Sequence, residues 1–269
     1  LFLLGFSKKV FLADTIGEFI DPIFLNPTSF SSEYVLIASL LFPLQIYFDF
    51  SGYVDMALGV SNILGIKLPI NFDRPYLASS LTDFWRRWHI TLSKWFRDYL
   101  YIPLGGSRCG KLKNYFNLII TMSIAGLWHG ASWNFILWGF VHGFLLSIEK
   151  IKFFNNIKNY LPKMLKIFLT CFIVFNLWVV FRISDFETLK IFFNILYFTD
   201  IKILDIKILY AFLILIIGIF SQKYDNYFYM QKIAGKINFK ILTPIAMSII
   251  LSGFLLSLGT SEKFIYFDF

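Results

Sequence analysis

The chain has 269 residues, of which 57% are hydrophobic and only 16% are charged, and its mean hydropathy is +0.66. Soluble domains carry about a quarter charged residues, so this composition excludes a water-soluble globular domain and indicates a polytopic membrane protein. The net charge of +8 comes from cations spread between the apolar segments. That spread is typical of membrane flanks and not of a nucleic-acid-binding surface, so we exclude nucleic acid as a partner.

The cysteines and the start of the chain add two expectations. Cys109 and Cys171 lie far apart and make neither a disulfide framework nor, with only three histidines, a metal-ligand pattern. We therefore expect no metal site. Residue 1 is Leu and lies inside an apolar run. The sequence here does not show a basic region, an apolar region and a cleavage site in the order that a signal peptide has. We expect the chain to be the C-terminal part of a longer protein.

The first quarter of the chain predicts one interfacial or membrane-inserted segment and then a span. Residues 1–20 are apolar but carry four charges, which leaves open the end of a span or an interfacial helix. Two X-Pro pairs at 21–22 and 26–27 predict a loop. The 15 uncharged residues 34–48 predict a membrane span that continues through Phe50.

Two carboxylates follow in an apolar setting. Asp49 and Asp55 stand near Gly52 and Gly59, which are expected to loosen the helix around them. Because buried carboxylates are seldom left unpaired, the first interpretation is that each caps a broken helix or pairs with an arginine. The functional alternative places them in the wall of a polar cavity.

Residues 67–76 contain two prolines and predict a loop or re-entrant turn. Ser80 and Asp83 then have capping-box spacing, which predicts a helix that continues to about residue 99. One face of this helix is aromatic. The other face is a polar stripe that comprises Arg86, His89, Ser93 and Arg97. Residues 104–107 predict a tight turn, and the uncharged runs 167–181, 208–222 and 241–261 predict further spans, for six to eight in all and an all-α fold.

His129 is the strongest candidate for a functional residue. It lies in the run 114–148, which has no charged residue, and an ionisable ring in a membrane-length apolar segment marks a functional site by default. Gly126 and Gly130 allow a substrate or another backbone to approach, and Trp128 supplies a rigid apolar wall. Such a histidine is suited to act as a general base towards a hydroxyl. The structural alternative is a histidine that is only hydrogen-bonded between helices.

The remaining polar candidates support the same site. His89 shares the polar stripe with arginines, which are suited to hold a phosphate-bearing donor. His142 has no evident partner group, so we expect it to have a packing role. The sequence contains no nucleophile elbow, Walker loop or dinucleotide glycine motif.

Several long motifs are similar to those of a known family. They are LFLLGFSKKVFLAD (1–14), DFSGYVDMALG (49–59), NFDRPYLASSLTDFWRRWHITLSKWFRDYLYIPLGG (71–106), GLWHGASWNFILWGFVHG (126–143) and FIYFDF (264–269). The sequence resembles the membrane-bound O-acyltransferase family, in the branch of alginate and peptidoglycan O-acetyltransferases. The matches are dense to about residue 150. The resemblance implies one domain over 1–269 that lacks the family's N-terminal helices. It implies a fold in which tilted transmembrane helices form a ring around a central funnel, with interfacial or re-entrant helices. It also implies a multi-pass protein of the bacterial cytoplasmic membrane.

The same resemblance implies the chemistry. His129 corresponds to the family's proposed catalytic histidine and His89 to its second histidine. The family moves an acyl group from a cytosolic thioester, acetyl-CoA or an acyl carrier protein, with no bound cofactor, towards a cell-envelope polysaccharide. It works among membrane lipids and with an extracytoplasmic partner protein. The alternatives are D-alanyl transfer to teichoic acid, a transporter and a scaffold subunit.

The mechanistic hypothesis gives each candidate residue a role. His129 takes the proton of the acceptor hydroxyl as it attacks the thioester, and His89 lines the donor side. Tyr266 is a possible acyl carrier between the two faces of the membrane, although an aromatic interface anchor is the more ordinary interpretation. Further residues expected to bind or orient the donor are Arg86, Arg97, Asp49, Asp55 and Trp128.

Overall fold

The computed structural model describes residues 1–151, 160–200 and 206–257, apart from 226, 228, 230, 231, 233–235 and 237, and these residues form helices and connections without a strand. The all-α prediction is confirmed. Two π-helical stretches, Lys8–Asp14 and Arg97–Tyr101, and two short 3-10 turns, Pro27–Ser29 and Pro75–Leu77, lie between the α-helices. The α-helices are α1 Phe2–Ser7, α2 Thr15–Leu25, α3 Ser32–Ile63, α4 Leu81–Trp85, α5 Ile90–Phe96, α6 Lys111–His129, α7 Trp133–Glu149, α8 Lys163–Arg182, α9 Phe186–Phe198, α10 Ile206–Ser221 and α11 Phe239–Ser257.

The long helix α3 is the centre of the packing. It contacts α1, α2, α8, α9 and α10, and its residues 41–52 are all buried. The predicted loosening at the glycines is wrong, because α3 is continuous through both of them. A Cβ on Gly52 would lie 2.7 Å from the carbonyl oxygen of Gly5, and one on Gly59 would lie 2.6 Å from the nitrogen of Phe2. The glycines therefore let α1 lie directly against α3.

The predicted loop is wrong at residues 21–22, since α2 continues through Pro22 to Leu25, and is confirmed at residues 26–27, where the helix has ended. The loop at 67–76 is confirmed and ends in the 3-10 turn Pro75–Leu77.

Helices α6 and α7 form a closely packed hairpin, and His129 is the last residue of α6, at the turn between the two helices. A Cβ on Gly126 would collide with the carbonyl of Phe135, and a Cβ on Gly139 would collide with the carbonyl of Met122. Both helices thus approach backbone to backbone. Of the two expectations for Gly126, the approach of another backbone is the one that the structure shows.

The helix predicted from residue 80 to about residue 99 is interrupted. Ser80 caps α4 as predicted, because its hydroxyl accepts a hydrogen bond of 3.0 Å from the backbone N–H of Asp83. However, α4 ends at Trp85, and His89 adopts the left-handed conformation with φ of 40° before α5 begins. The polar stripe does not lie on one helix face, and the prediction of a single amphipathic helix is wrong.

Two helices among the described residues, Ser32–Ile63 and Lys163–Arg182, are long and apolar enough to cross a membrane. Two shorter apolar helices are Ile206–Ser221 and Lys240–Leu256. Many apolar side chains on α10 point outwards, a surface unsuited to water. The exposed ones include Leu209, Phe212, Leu213, Ile216, Ile217 and Phe220. The ring of six to eight spans stays a prediction.

Candidate active site

His129 is the last residue of α6 and is only 9% exposed. Aromatic rings from three helices surround its imidazole. The ring centroid of Phe181 is 5.0 Å away, that of Trp138 is 5.6 Å away, and that of Trp128 is 5.0 Å away. These rings hold the imidazole in an apolar setting from which water is largely kept out.

A cavity of about 130 Å³ lies beside His129. Arg97 and Ser93 line it from the α5 side, and Thr121 lines it from α6. The hydroxyl of Thr121 and the indole nitrogen of Trp138 are buried and, within the part of the chain that is described, have no hydrogen-bond partner. Buried polar groups normally have a partner, so this cavity offers unused hydrogen-bonding capacity next to a histidine.

His89 lies in the connection between α4 and α5, close to this site. Its ring packs against Phe50 with a centroid distance of 4.8 Å, and its Nδ1 is 3.3 Å from the side-chain oxygen of Asn71. Burial lowers the pKa of His129, and a protonated His89 would lower it further. Burial lowers the pKa of His89, which stands outside the two candidate spans, so the neutral ring is favoured.

The predicted donor-binding residues are only partly brought together. Arg97 reaches the cavity of His129, is exposed, and forms an ion pair of 2.7 Å with Asp98. Trp128 is 55% exposed and covers one side of the His129 ring. Arg86 is exposed and does not line this cavity.

The two carboxylates of α3 pair with lysines, not with arginines. Lys9 Nζ is 2.7 Å from Asp49, and Lys8 Nζ is 2.6 Å from Asp55. The first interpretation, in which each carboxylate caps a broken helix or pairs with an arginine, is therefore wrong. Asp55 does line a small polar cavity, as the functional alternative predicted.

Lys8 belongs to a larger cluster of partly buried charged and polar side chains. Lys8 also donates to both carboxylate oxygens of Asp225, at 2.6 and 2.7 Å, and the hydroxyl of Tyr47 donates to the same carboxylate at 2.7 Å. The cluster ties α3 and the segment after α10 to the π-helical stretch between α1 and α2. It borders the cavity that Asn71 also lines.

Two other predicted residues have different outcomes. His142 is 1% exposed and accepts a hydrogen bond of 3.3 Å from the indole N–H of Trp85. Its contacts are those of a packing residue with one polar partner. Tyr266 lies outside the described residues. Among the residues that are described, no three His, Cys, Asp or Glu side chains are grouped so as to hold a metal ion.

Several residues that organise the site are not predicted by the sequence. Asn71, Lys8 and Asp225 were read as loop or flanking residues, because their partners lie at a distance along the chain. Glu149 was missed as well, although its carboxylate accepts hydrogen bonds of 2.9 and 3.1 Å from the first two N–H groups of α4. The one available signal was the apolar context of Lys8, since a lysine within an apolar run requires a partner.

Comparisons with known proteins place this chain in a family. The profile of the membrane-bound O-acyltransferase family matches residues 2–188. The chain is 46% identical over 190 residues to a peptidoglycan O-acetyltransferase of Helicobacter pylori, which is 70% of this chain and 36% of that protein. It is 48% identical over 183 residues to a probable alginate O-acetylase of Pseudomonas syringae pv. tomato, covering 67% of this chain and 35% of that protein.

A third relative carries a different name. The chain is 37% identical over 165 residues to a teichoic acid D-alanyltransferase of Streptococcus thermophilus, covering 55% of this chain and 38% of that protein. The chain spans little more than a third of the length of the curated relatives it matches. With a family match over residues 2–188, the chain belongs to the membrane-bound O-acyltransferase family.

Proposed function

We propose that the full-length protein is a membrane O-acyltransferase that moves an acetyl group from a cytosolic thioester towards a hydroxyl of a cell-envelope polysaccharide. The observation that carries the proposal is the cavity that His129, Arg97 and Thr121 line, with the Thr121 hydroxyl left without a partner among the described residues. A general base, a cation and a spare polar group are what an acyl transfer to a hydroxyl requires.

In the proposed reaction, His129 takes the proton of the acceptor hydroxyl while the hydroxyl oxygen forms a bond to the thioester carbonyl carbon. The carbon–sulfur bond then breaks, and the thiolate leaves and takes up a proton. The aromatic rings around His129 keep water from competing as an acceptor. Arg97 holds the phosphate-bearing end of the donor at the open side of the cavity.

The location and the partner of the enzyme are part of the same proposal. It acts in the bacterial cytoplasmic membrane as a multi-pass protein, with an extracytoplasmic partner that completes the transfer to an alginate-like exopolysaccharide or to peptidoglycan. The names of the two relatives with more than 45% identity support acetyl transfer. D-alanyl transfer to teichoic acid is the second candidate, because a more distant relative carries that name.

The test is an assay of ester-linked groups on purified cell-envelope polysaccharides. The full-length protein is expressed with its neighbouring extracytoplasmic partner, and His129→Ala is compared with wild type at equal membrane abundance. Loss of a general base lowers the rate by about 10²–10⁴-fold, so we expect acetate in the wild type and almost none in the variant. Equal acetate in both would refute the role of His129, and ester-linked D-alanine in place of acetate would favour the second candidate.

A further inference from the structure

Asn71 joins the loop before α4 to the start of α5, at the point where His89 lies. Its side-chain oxygen accepts hydrogen bonds from the backbone N–H of Thr91 at 3.1 Å and from the Thr91 hydroxyl at 2.6 Å. Its backbone oxygen accepts a hydrogen bond of 3.0 Å from the N–H of Ile90. These N–H groups belong to the first turn of a helix, where they have no partner within the helix itself.

The orientation of the Asn71 amide is fixed by chemistry. A backbone N–H can only donate, so the atom of Asn71 that faces the N–H of Thr91 has to be the oxygen and not the nitrogen. The same oxygen lies 3.3 Å from Nδ1 of His89. Because this oxygen has only lone pairs to offer, Nδ1 of the neutral His89 ring carries the proton, and Nε2 carries the lone pair.

The backbone around His89 keeps the ring in this place. His89 has φ of 40° and ψ of 58°, a left-handed conformation that non-glycine residues adopt only when their surroundings impose it. Two hydrogen bonds impose it here, on either side of the residue. Asp73 N–H donates to the carbonyl of Arg87 at 3.0 Å, and Ile90 N–H donates to the carbonyl of Asn71.

We propose that Asn71 is a positioning residue for His89, which it holds as the tautomer protonated at Nδ1 so that Nε2 is the proton-accepting nitrogen. The tautomer follows from the hydrogen bonds alone. Its catalytic consequence rests on the proposed function together with the hypothesis that His89 lines the donor side of the site. An imidazole held in the wrong tautomer presents an N–H where the reaction needs a lone pair.

The test is the ¹⁵N spectrum of the full-length protein labelled at histidine, with the His89 signals assigned by comparison with His89→Gln. We expect Nδ1 of His89 to be protonated in the wild type. His142 is an internal reference of the opposite kind, because the N–H of Trp85 faces its Nδ1. A wild-type His89 protonated at Nε2 would overturn the proposal without any variant.

Two variants of Asn71 separate positioning from folding. Asn71→Asp keeps the acceptor and is expected to keep the Nδ1–H signal, whereas Asn71→Leu, of similar size but without an acceptor, is expected to lose it. Asn194→Leu is the matched control, since Asn194 is an exposed amide on α9. An unchanged His89 spectrum in Asn71→Leu would overturn the proposal, and if that variant does not fold, the wild type and Asn71→Asp still decide.

The activity assay is run on the same variants. We expect transfer to fall by about 10²-fold in Asn71→Leu, the lower end of what a general acid–base group contributes, and to be substantially recovered in Asn71→Asp. Equal losses in both variants would overturn the positioning role. Absence of any transfer in the wild type would contradict the proposed function, whereas the spectra would still decide the tautomer.

Discussion

The indole N–H of Trp85 donates a hydrogen bond to Nδ1 of His142 across 3.3 Å and joins α4 to α7. The two rings also meet edge to face, with centroids 5.1 Å apart. Since an indole nitrogen can only donate, Nδ1 of His142 is the acceptor and the ring is neutral. This contact connects the helix before His89 with the hairpin that carries His129.

Replacement of His142 should therefore lower the stability of the protein mainly because it removes one hydrogen-bond acceptor, Nδ1 of the imidazole. His142→Leu leaves the partly buried N–H of Trp85 without its partner, which costs up to about 1–3 kcal/mol. His142→Asn places a side-chain oxygen near the position of Nδ1, and we expect it to retain more of the stability. Thermal unfolding of the purified full-length protein in detergent measures both. If the two variants unfold at the same temperature, the hydrogen bond is not what stabilises this contact.

Thr121 offers a test of substrate contact, because its hydroxyl is buried in the cavity without a partner among the described residues. Thr121→Val keeps the shape and removes the hydroxyl. We expect kcat/KM for acyl transfer to fall by about 2- to 12-fold, the equivalent of one neutral hydrogen bond. We expect the stability not to fall, since no hydrogen bond within the protein is lost.

The matched control for this variant is Thr15→Val on an exposed face of α2. It should leave both the stability and kcat/KM unchanged. A loss of stability in Thr121→Val together with unchanged kcat/KM would mean that the hydroxyl has a partner inside the protein and does not contact the substrate.

Arg97 should contribute to donor binding and not to the chemical step. It lines the cavity, but its side chain is 55% exposed, and water screens its charge. We expect Arg97→Ala to raise KM for the thioester by about three- to tenfold with little change in kcat. Arg97→Lys should be intermediate. Steady-state kinetics with varied donor concentration measures this, with the exposed Arg108→Ala as the control.

A change in kcat without a change in KM would contradict this assignment and would indicate that Arg97 acts in the transition state. Its partner Asp98 gives a second readout. The hydrogen bond from Arg97 lowers the pKa of the Asp98 carboxyl, so Arg97→Ala should return that pKa towards its ordinary value.

The cluster around Lys8 should be a strong determinant of stability. The side chain of Lys8 is 7% exposed and contacts two carboxylates. Lys8→Met leaves the partly buried charges of Asp55 and Asp225 without their cation, and removal of one partner of a buried ion pair costs up to about 3–5 kcal/mol. We expect a matching loss in the free energy of unfolding in detergent.

The double variant Lys8→Met with Asp55→Asn should be less destabilised than the sum of the two single variants, because the lysine and the carboxylate lose the same interaction. Lys67→Met, at an exposed loop position, is the control and should unfold as the wild type does. Additive losses in the double variant would show that Lys8 and Asp55 are not energetically coupled.

Uncharged runs predicted the later helices well. The runs 167–181, 208–222 and 241–261 correspond to α8, α10 and α11 wherever the residues are described. A run of apolar residues is a local property, and it determines a helix of this length with little help from the rest of the chain. His129 was found in the same way, from its own apolar surroundings.

What the sequence did not reveal depends on distant partners. The aromatic and polar periodicity of residues 81–99 favoured one helix, but it is interrupted where Arg87 accepts a hydrogen bond from Asp73 and Ile90 donates one to Asn71. The ion pairs Lys9–Asp49 and Lys8–Asp55 join residues 40 and 47 positions apart. Local pattern carries no information on which of several cations such a carboxylate meets.

The glycines of the α6–α7 hairpin fix the register of the two helices. Gly139 faces Met122, and Gly126 faces Phe135. A slip by one residue would bring a side chain such as that of Trp138 or Phe140 against a carbonyl that now has a glycine opposite. The two helices consequently have one relative position along the hairpin axis. This position determines where His129 lies with respect to the aromatic rings that enclose it.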